Sequence, residues 1–413
     1  MKAAGRLSGK YNNGKRGMIM TSKFKAQYLL MQCLYWISAS IIYGYSAMFL
    51  QYKGLSNTAI GIAAGTASFA LLFVQPIMDN LIQKIRFLTP KRMMVILMII
   101  SNVLYFTMGT FAIPTAGLIV LFILTNSLYS CGMSFTTTIG MDYINQGHKL
   151  NFLFARGMGS FSYAICAFFM GQFIERYHAG ILPYAFAVSQ ILVCVVLLVM
   201  KDTHVKNSVR EEEESSSFLM ILKENPVIRM FALAFTLSFM ANTIVTTYMV
   251  NVVYQAGGTE ASFGICCFMN AVSEFPAMLL CNYLIKKYSC RTLLKISSFF
   301  FIVKMAVLLV ASNLAAVYFG YLLQSVSWGA FLAISVFLVN TELEPKDRLK
   351  GQSIFASLVL AAGGCIGNLI GGYVQDTWGL RVTIAVCLVI AIAGFLCCMS
   401  VKSIRNDKRK PAM

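Results

Sequence analysis

Long apolar stretches separated by short polar segments fill most of this chain of 413 residues. A helix needs roughly 20 apolar residues to cross the hydrocarbon core of a bilayer, and twelve stretches are about that long. They cover residues 27–50, 57–82, 93–113, 116–143, 151–174, 181–200, 226–252, 261–287, 291–312, 314–341, 351–374 and 380–401. The runs are continuous rather than alternating, which predicts membrane-spanning helices and not the strands of a transmembrane barrel.

The positively charged residues are distributed unevenly between the polar segments. Of the 34 Lys and Arg residues, 29 lie on one side, in every second connection, in the end turns of the stretches beside it, or at the two ends of the chain. Three lie on the opposite side (Lys53, Arg176 and Arg381), and two lie deeper within apolar stretches (Arg156 and Lys304). Because basic residues concentrate on the cytoplasmic side of a membrane, this asymmetry predicts an even number of spans with both termini in the cytoplasm.

Composition agrees with a membrane protein and narrows its partners. The chain is 58% hydrophobic and 12% charged, with a mean hydropathy of +0.70. Its net charge of +18 is explained by orientation and by attraction to anionic lipid, which argues against a nucleic-acid partner. The twelve cysteines have no metal-ligand spacing, and no phosphate-binding motif is present. We expect a multi-pass protein of a bacterial cell membrane with no metal and no cofactor.

One long polar connection divides the predicted spans into two sets of six. It covers residues 201–225 and contains a run of four Glu and three Ser, 211–217, which is typical of a solvated linker. The predicted organisation is therefore a cytoplasmic N-terminal segment (1–26), a first six-helix bundle (27–200), the central linker (201–225), a second six-helix bundle (226–401) and a cytoplasmic tail (402–413).

The two halves of the chain repeat each other weakly. At an offset of 203 residues, identical residues include Tyr45 with Tyr248, Gly54 with Gly257, Gly61-Ile62 with Gly264-Ile265, Leu81-Ile82 with Leu284-Ile285, and Lys84 with Lys287. At an offset of 201, Phe154-Ala155 matches Phe355-Ala356. Internal symmetry between two six-span halves is typical of rocking-bundle transporters, which bind substrate between the halves near the middle of the membrane.

Several segments resemble the major facilitator superfamily, and within it the lactose-permease-like and nucleoside proton symporters. The segments are Tyr43-Gly44-Tyr45, Gly54-Leu55-Ser56, Ile60-Gly61, Phe154-Ala155-Arg156 with Gly159, Ser273-Glu274-Phe275-Pro276, Gly351-Gln352 and Gly371-Gly372. The resemblance covers about residues 27–401. It implies an all-α integral membrane protein of twelve transmembrane helices in two pseudo-symmetric six-helix bundles, a small-molecule solute as partner, alternating access, and a monomer.

The resemblance also suggests which residues of the first half contact the solute. Arg156 takes the place of the arginine that holds sugar hydroxyls in lactose-type permeases, and a guanidinium offers five donors for such groups. Tyr163 takes the place of the aromatic ring on which the sugar stacks. Asp142 ends a stripe of polar residues at every fourth position of the fourth span, starting at Asn126, which places them on one helix face. Asp142 either pairs with Arg156 across the cavity or is solvated at the cytoplasmic end.

Asp142 of the first half and two charges in the second half are candidates for proton coupling. Glu274 lies in the middle of the eighth span, where burial disfavours the charged form of a carboxyl. Lys304 lies in the ninth span, where the resemblance places an arginine of the coupling network. Either Glu274 releases a proton next to Lys304, or the two form a permanent structural ion pair. The tenth span departs from the lactose-type pattern, because Gln324 and Ser327 stand where the coupling histidine and glutamate would be.

Aromatic and amide side chains complete the predicted solute site. Trp36 and Trp328 are candidates to stack on a sugar or nucleobase. Candidates to hydrogen-bond the solute are Asn126, Asn242, Asn270 and Gln324. Outside the site, the connection after the second span has Gln83 where the superfamily's loop motif has an acid; Asp79, one turn earlier, and Lys84 are the candidates for a conformational latch.

The function favoured by the sequence is secondary active transport of a small polar organic solute (a sugar, oligosaccharide or nucleoside), coupled to protons as a symport. Two alternatives stay open. An exporter of drugs or metabolites with the same fold is favoured by the apolar content of the first and tenth spans and by the missing histidine. A membrane sensor that binds but does not transport would also use this fold. No enzymatic activity is expected.

Overall fold

Helices make up nearly all of the part of the chain that the structure describes. The computed structural model describes residues 23–148, 150–202 and 217–401, and no residue in these ranges lies in a strand. The predicted all-α fold is confirmed. Most of the predicted N-terminal segment, the acidic part of the linker and the C-terminal tail lie outside the described residues.

Six long helices form the first half. We number the long helices α1 to α12. The first six are α1 (Lys23–Gly44, continued by Ser46–Tyr52), α2 (Asn57–Lys84), α3 (Pro90–Thr110), α4 (Thr115–Asn145), α5 (Phe152–Tyr177) and α6 (Leu182–Val199). The two parts of α1 meet at an angle of 51°.

The second half has the same arrangement after a short helix, Phe218–Glu224. Its helices are α7 (Pro226–Thr247, continued by Met249–Gln255), α8 (Glu260–Lys287), α9 (Cys290–Val310), α10 (Leu314–Glu342), and the segment Pro345–Met399, in which Gly379 separates α11 from α12. Gly379 has a φ of 82°, a left-handed conformation that glycine adopts without a steric penalty.

By length and apolar composition, nine helices of the described residues could cross a membrane, or ten if the two parts of α1 count as one span. The nine include Pro345–Met399 as a single helix, although it contains both α11 and α12. The helix α8 is long enough but carries charges at both ends and Glu274 in the middle. These numbers are consistent with twelve spans.

Local sequence signals explain where many of these helices begin. In six helices, the side-chain oxygen of the residue before the helix accepts a hydrogen bond from a backbone N–H of the first turn. These residues are Ser56 before α2, Thr89 before α3, Asn151 before α5, Thr259 before α8, Ser289 before α9 and Asn313 before α10. Such caps satisfy N–H groups that have no partner within the helix. Pro90 and Pro226 stand at the first position of α3 and α7, where a missing N–H is tolerated.

The internal repeat is visible in the backbone. Tyr45 and Tyr248 interrupt α1 and α7 with closely similar dihedral angles, φ −105°, ψ 13° and φ −97°, ψ 22°. Gly54 and Gly257 follow with φ of 84° and 80°. The residues that match in sequence at an offset of 203 therefore form the same local structure in both halves.

The two ends of the bundles are named here the linker side and the far side. The linker side is the end at which α1 begins, α6 ends, α7 begins and α12 ends. The far side carries the turns 53–56, 111–114, 178–181, 256–259, 311–313 and Gly379. Side-chain contacts agree with this division, since Lys53 donates to the carbonyl oxygens of Gly109 and Phe111 on the far side.

The two bundles contact each other along the far-side halves of two helix pairs. In the first pair, α2 approaches α11 so closely that a Cβ at Gly61 would collide with the backbone oxygen of Asn368. In the second pair, α5 approaches α8, and a Cβ at Gly171 would lie 2.8 Å from the Cα of Gly264. Small residues allow such close helix packing within a membrane.

Candidate functional site

The centre of the second bundle contains a fully buried lysine. Lys304, on α9, has no exposed surface. Its Nζ donates to Oδ1 of Asn242 on α7 over 2.8 Å and to Oε1 of Gln324 on α10 over 2.6 Å. A buried charge is tolerated only when it is hydrogen-bonded, and these two amide oxygens supply that stabilisation.

Gln324 joins this lysine to Glu274. While its Oε1 accepts from Lys304, its Nε2 donates to Oε1 of Glu274 on α8 over 3.3 Å. Glu274 and Lys304 are therefore linked through the amide of Gln324, in the hydrogen-bonded network Asn242–Lys304–Gln324–Glu274. Asn242 and Gln324, predicted from the sequence to bind the solute, are both 97% buried and form hydrogen bonds within this network.

Local structure in α10 brings Gln324 to Glu274. A π-helical turn, Ser325–Gly329, follows Gln324 directly. Such turns inside α-helices are frequent at functional sites. The backbone carbonyl oxygen of Ser327 in this turn accepts a hydrogen bond from the hydroxyl group of Ser297 on α9 over 2.6 Å. A Cβ at Gly329 would lie only 3.3 Å from the Cα of Glu274, so glycine permits α10 to pack closely on α8 at this level.

In the first bundle, Arg156 lies on the face of Trp36. The guanidinium carbon is 4.0 Å from the centroid of the ring, a favourable cation–π distance. One guanidinium nitrogen donates to Oγ of Ser160 over 2.9 Å. A Cβ at Gly159 would collide with the Trp36 ring, so glycine at this position leaves room for the ring.

Tyr163 borders this pair and lies edge-on to Trp36, with ring centroids 6.3 Å apart. Nε1 of Trp36 is one of ten buried side-chain atoms of the described residues without a hydrogen-bond partner, and Oδ1 of Asn270 on α8 is another. Buried polar atoms usually have partners, so a polar ligand beside Arg156 would supply the acceptor that Trp36 Nε1 lacks.

The polar stripe of α4 runs away from this region towards the linker side. Asn126 accepts a hydrogen bond from Ser130 over 3.2 Å, and Ser130 also bonds Tyr43 of α1 over 2.8 Å. Asp142 lies in the last turn of α4, which ends at Asn145. At 1.5 Å per residue, about 24 Å of helix separate Asn126 from Asp142, so one small solute does not contact both.

Trp328 belongs to an aromatic cluster rather than to the Lys304 chain. Its ring lies 4.5 Å from Phe239 and 5.3 Å from Phe331, centroid to centroid. It also borders a cavity of about 370 Å³ between α10 and α11, lined in addition by Phe331 and Phe355. The predicted stacking residue therefore lines a separate, mainly apolar space.

The two predicted latch residues lie at the linker-side end of α2. Asp79 accepts a hydrogen bond from Gln75, one turn earlier in the same helix, over 3.0 Å. Lys84 is the last residue of α2 and is exposed. In the described residues, no group of three His, Cys, Asp or Glu side chains is arranged to hold a metal ion.

A protein-family comparison decides the family. The model of the MFS_1 like family matches residues 23–386. The chain belongs to this branch of the major facilitator superfamily. A curated relative, the uncharacterized transporter YwbF of Bacillus subtilis (strain 168), is 20% identical over 261 residues, which are 62% of this chain and 65% of that protein. The chain thus matches slightly less than two thirds of this relative.

Solved structures support the fold. A variant of the nucleoside transporter NupG superposes with a TM-score of 0.81 at 13% identity, covering 91% of this chain and 99% of that one. A bacterial homologue of the human lysosomal transporter Spinster, in an inward-facing and unoccupied conformation, gives a TM-score of 0.65 at 11% identity over 92% of this chain and 97% of that one. At these identities the similarity establishes the major facilitator fold of two six-helix bundles.

Three residues with roles in the structure were not singled out from the sequence. Ser160 was not singled out, although it lies one helical turn after Arg156 and donor–acceptor pairs at this spacing share a helix face. Glu175 and Asp376, acids at the far-side ends of α5 and α11, were given no role. Their spacing of 201 residues equals an offset of the internal repeat, which is the signal that marks them.

Proposed function

We propose that this protein is a secondary transporter that moves a small polar organic solute across the membrane by alternating access, with proton symport. The observation that carries the proposal is the buried chain Asn242–Lys304–Gln324–Glu274. It contains both an acid and a base in the middle of a bundle, where charged groups are costly and usually functional. Family membership and the named transporters among its relatives support the same conclusion.

This hydrogen-bonded network explains how protonation of Glu274 would change the conformation of the protein. When Glu274 is ionised, Gln324 donates to it and turns its oxygen towards Lys304, so the four side chains form one continuous network. A protonated Glu274 is a weaker acceptor for the Gln324 amide, and the network then loosens. Because its members lie on α7, α8, α9 and α10, proton binding would change how four helices of one bundle are held together.

For the solute we propose a sugar, an oligosaccharide or a nucleoside bound beside Arg156. The Trp36 and Tyr163 rings supply apolar faces, Arg156 supplies donors, and Trp36 Nε1 supplies one unused donor. Flat or ring-shaped polar molecules fit such a set. The structural neighbour NupG is titled a nucleoside transporter, which makes nucleosides the first class to test.

The remaining parts of the proposal concern the membrane. The excess of Lys and Arg on the linker side favours a cytoplasmic location for that side and for both termini. We place the protein in a bacterial cell membrane as a monomer. Asp79 and Lys84 are proposed to form a latch in the conformation that opens to the far side, since in the present conformation Asp79 bonds within its own helix.

One observation favours a second candidate, export of amphiphilic compounds. The cavity bordered by Trp328, Phe331 and Phe355 is about 370 Å³ in volume, large enough for part of a drug-sized molecule. An aromatic cation would stack on these rings.

The test is proton flux in proteoliposomes that contain the full-length protein and a pH-sensitive dye. A panel of nucleosides, sugars and amphiphilic cations is added outside, first to the wild type and then to Glu274→Gln. The matched control is Glu344→Gln, which removes an exposed acid outside the site. We expect one nucleoside or sugar to drive protons in the same direction as itself. In Glu274→Gln we expect exchange of labelled solute to continue while concentrative, pH-driven uptake is lost.

The outcomes separate the hypotheses. Concentrative uptake that stays pH-dependent in Glu274→Gln would contradict the coupling role. Protons moving opposite to an amphiphilic cation would support the exporter. Solute binding without flux of either solute or protons would indicate a sensor and overturn transport.

A further inference from the structure

An acid at the far-side end of α11 holds the beginning of α2 in the other bundle. Oδ1 of Asp376 accepts from the backbone N and the side-chain Nδ2 of Asn57 over 3.1 and 2.9 Å. Its Oδ2 accepts from the backbone N and Oγ1 of Thr58, each over 2.7 Å. Both carboxylate oxygens are thus used on the first two residues of α2.

A second acid at the far-side end of α5 does the same for α8. Oε2 of Glu175 accepts from Oγ1 of Thr259 over 3.0 Å and from the backbone N of Ala261 over 2.9 Å. Thr259 is the residue before α8 and Ala261 its second residue. N–H groups in the first turn of a helix lack partners within the helix, and the helix dipole there favours a negative charge.

The two contacts are copies of one another under the internal repeat. Glu175 and Asp376 are 201 residues apart, and Thr58 and Ala261 are 203 apart, the two offsets already found elsewhere in the chain. Each contact joins one bundle to the other, from α5 to α8 and from α11 to α2. We name these two contacts the far-side clasps. In each clasp, a carboxylate (Glu175 or Asp376) binds the start of a helix of the opposite bundle.

Two charged contacts between described residues on the linker side connect helices within one bundle instead. Arg291, at the start of α9, pairs with Glu342 at the end of α10 over 2.9 Å. Arg92, at the start of α3, lies 3.8 Å from Asp202, just after α6. These two contacts can persist when the bundles tilt apart. Both far-side clasps, by contrast, must break.

We propose that Glu175 and Asp376 are gating residues that hold the far side closed, and that both clasps must release for the site to open to that side. Other contacts act beside them. Asn57 also accepts hydrogen bonds from Gln51, Asn251 and Tyr248, so one clasp sets part of the equilibrium. From the strength of charges at exposed helix N-termini, each clasp should favour closure about two- to fivefold.

Hydrogen exchange of the full-length wild type and variants in nanodiscs tests this without labels. The decisive measurement is the rate of amide exchange at the clasp that the substitution leaves intact. In Asp376→Asn, the first-turn amides of α8 should exchange about two- to fivefold faster, since exchange follows the population of the open state. In Glu175→Gln, the first-turn amides of α2 should respond likewise, and the double variant should exceed either single variant.

The matched control is Glu260→Gln, between Thr259 and Ala261. Glu260 accepts a hydrogen bond from Tyr254 of its own bundle over 3.1 Å, so its loss should leave the amides of α2 unchanged. Asp376→Glu and Glu175→Asp, which keep an acceptor, should restore protection at least in part. Amides around the Arg291–Glu342 pair report whether each variant is folded. The proposal is overturned if exchange rises only at the altered clasp, or if Glu260→Gln accelerates α2 equally.

Discussion

A single methyl group added at Gly264 should open the contact between α5 and α8. An ideal Cβ at this position would lie 2.9 Å from the Cα of Gly171 and 3.0 Å from the backbone oxygens of Ala167 and Phe168. Carbon contacts are most favourable at about 3.5–4.0 Å. All three obstacles are backbone atoms, so no side chain can rotate away and the helices themselves must separate.

The size of the effect follows from this geometry. Overpacking of a well-packed contact costs about 1–3 kcal/mol. If the cost falls on the closed conformation alone, the ratio of closed to far-side-open molecules decreases about 5- to 150-fold. The matched control is Gly364→Ala on α11, because a Cβ there would meet its nearest neighbours, in Phe239 and Ser68, at the ordinary distances of 3.5 and 3.7 Å.

Native cysteines provide the assay. Cys267 is buried three residues after Gly264, on the far-side half of α8, and Cys131 is buried in α4 of the first bundle. We expect a water-soluble maleimide to label Cys267 faster in Gly264→Ala by roughly the factor above, with labelling of Cys131 unchanged and Gly364→Ala equal to wild type. Peptide mass spectrometry measures each site. Unchanged labelling of Cys267 in a folded Gly264→Ala protein would refute the reasoning, as would equal acceleration in Gly364→Ala.

Three further predictions concern stability in mixed micelles. In denaturant titrations, Glu342→Gln should lower the unfolding free energy by about 1–3 kcal/mol. The reason is that Arg291 and Glu342 are less than a fifth exposed and are joined by two hydrogen bonds of 3.1 and 2.9 Å. In the control Glu344→Gln, whose ion pair is exposed, the unfolding free energy should change by less than about 0.5 kcal/mol. Tyr248→Phe should cost about 0.5–1.5 kcal/mol in the same titration through loss of its 2.9 Å hydrogen bond to a backbone oxygen, and no loss would mean that the bond contributes nothing. Asp376 should contribute pH-dependent stability: partial burial favours a higher pKa, but hydrogen bonds from α2 outweigh it and hold the pKa of this carboxyl below its usual value. A carboxylate whose pKa falls on folding stabilises fully above its unfolded pKa of about 4, and this contribution is lost as pH falls through the folded pKa. The difference in thermal midpoint between wild type and Asp376→Asn should therefore shrink below about pH 4, and a constant difference would contradict this origin.

Much of the fold could be predicted because it depends on local properties of the sequence, such as the length and hydrophobicity of each stretch. Apolar length determines where helices span, and the family model confirms the superfamily that the motifs indicated. The repeat was also readable, since Tyr45 and Tyr248 match in sequence and interrupt their helices in the same way. The sequence likewise identified Arg156, Glu274 and Lys304 as the charges within the spans, because charged residues are rare in apolar stretches and therefore easily recognised.

Only the tertiary structure decided which of these side chains meet. Gln324 lies between Lys304 and Glu274, and Trp328 lies in a separate aromatic cluster. These outcomes depend on the rotation and depth of each helix, which π-helical turns and close contacts at glycine determine. The far-side clasps of Glu175 and Asp376 likewise require two helices from different bundles at the same level. Local hydrophobicity determines that a helix forms and crosses the membrane, but the partner of a polar side chain is fixed by packing between segments distant in sequence.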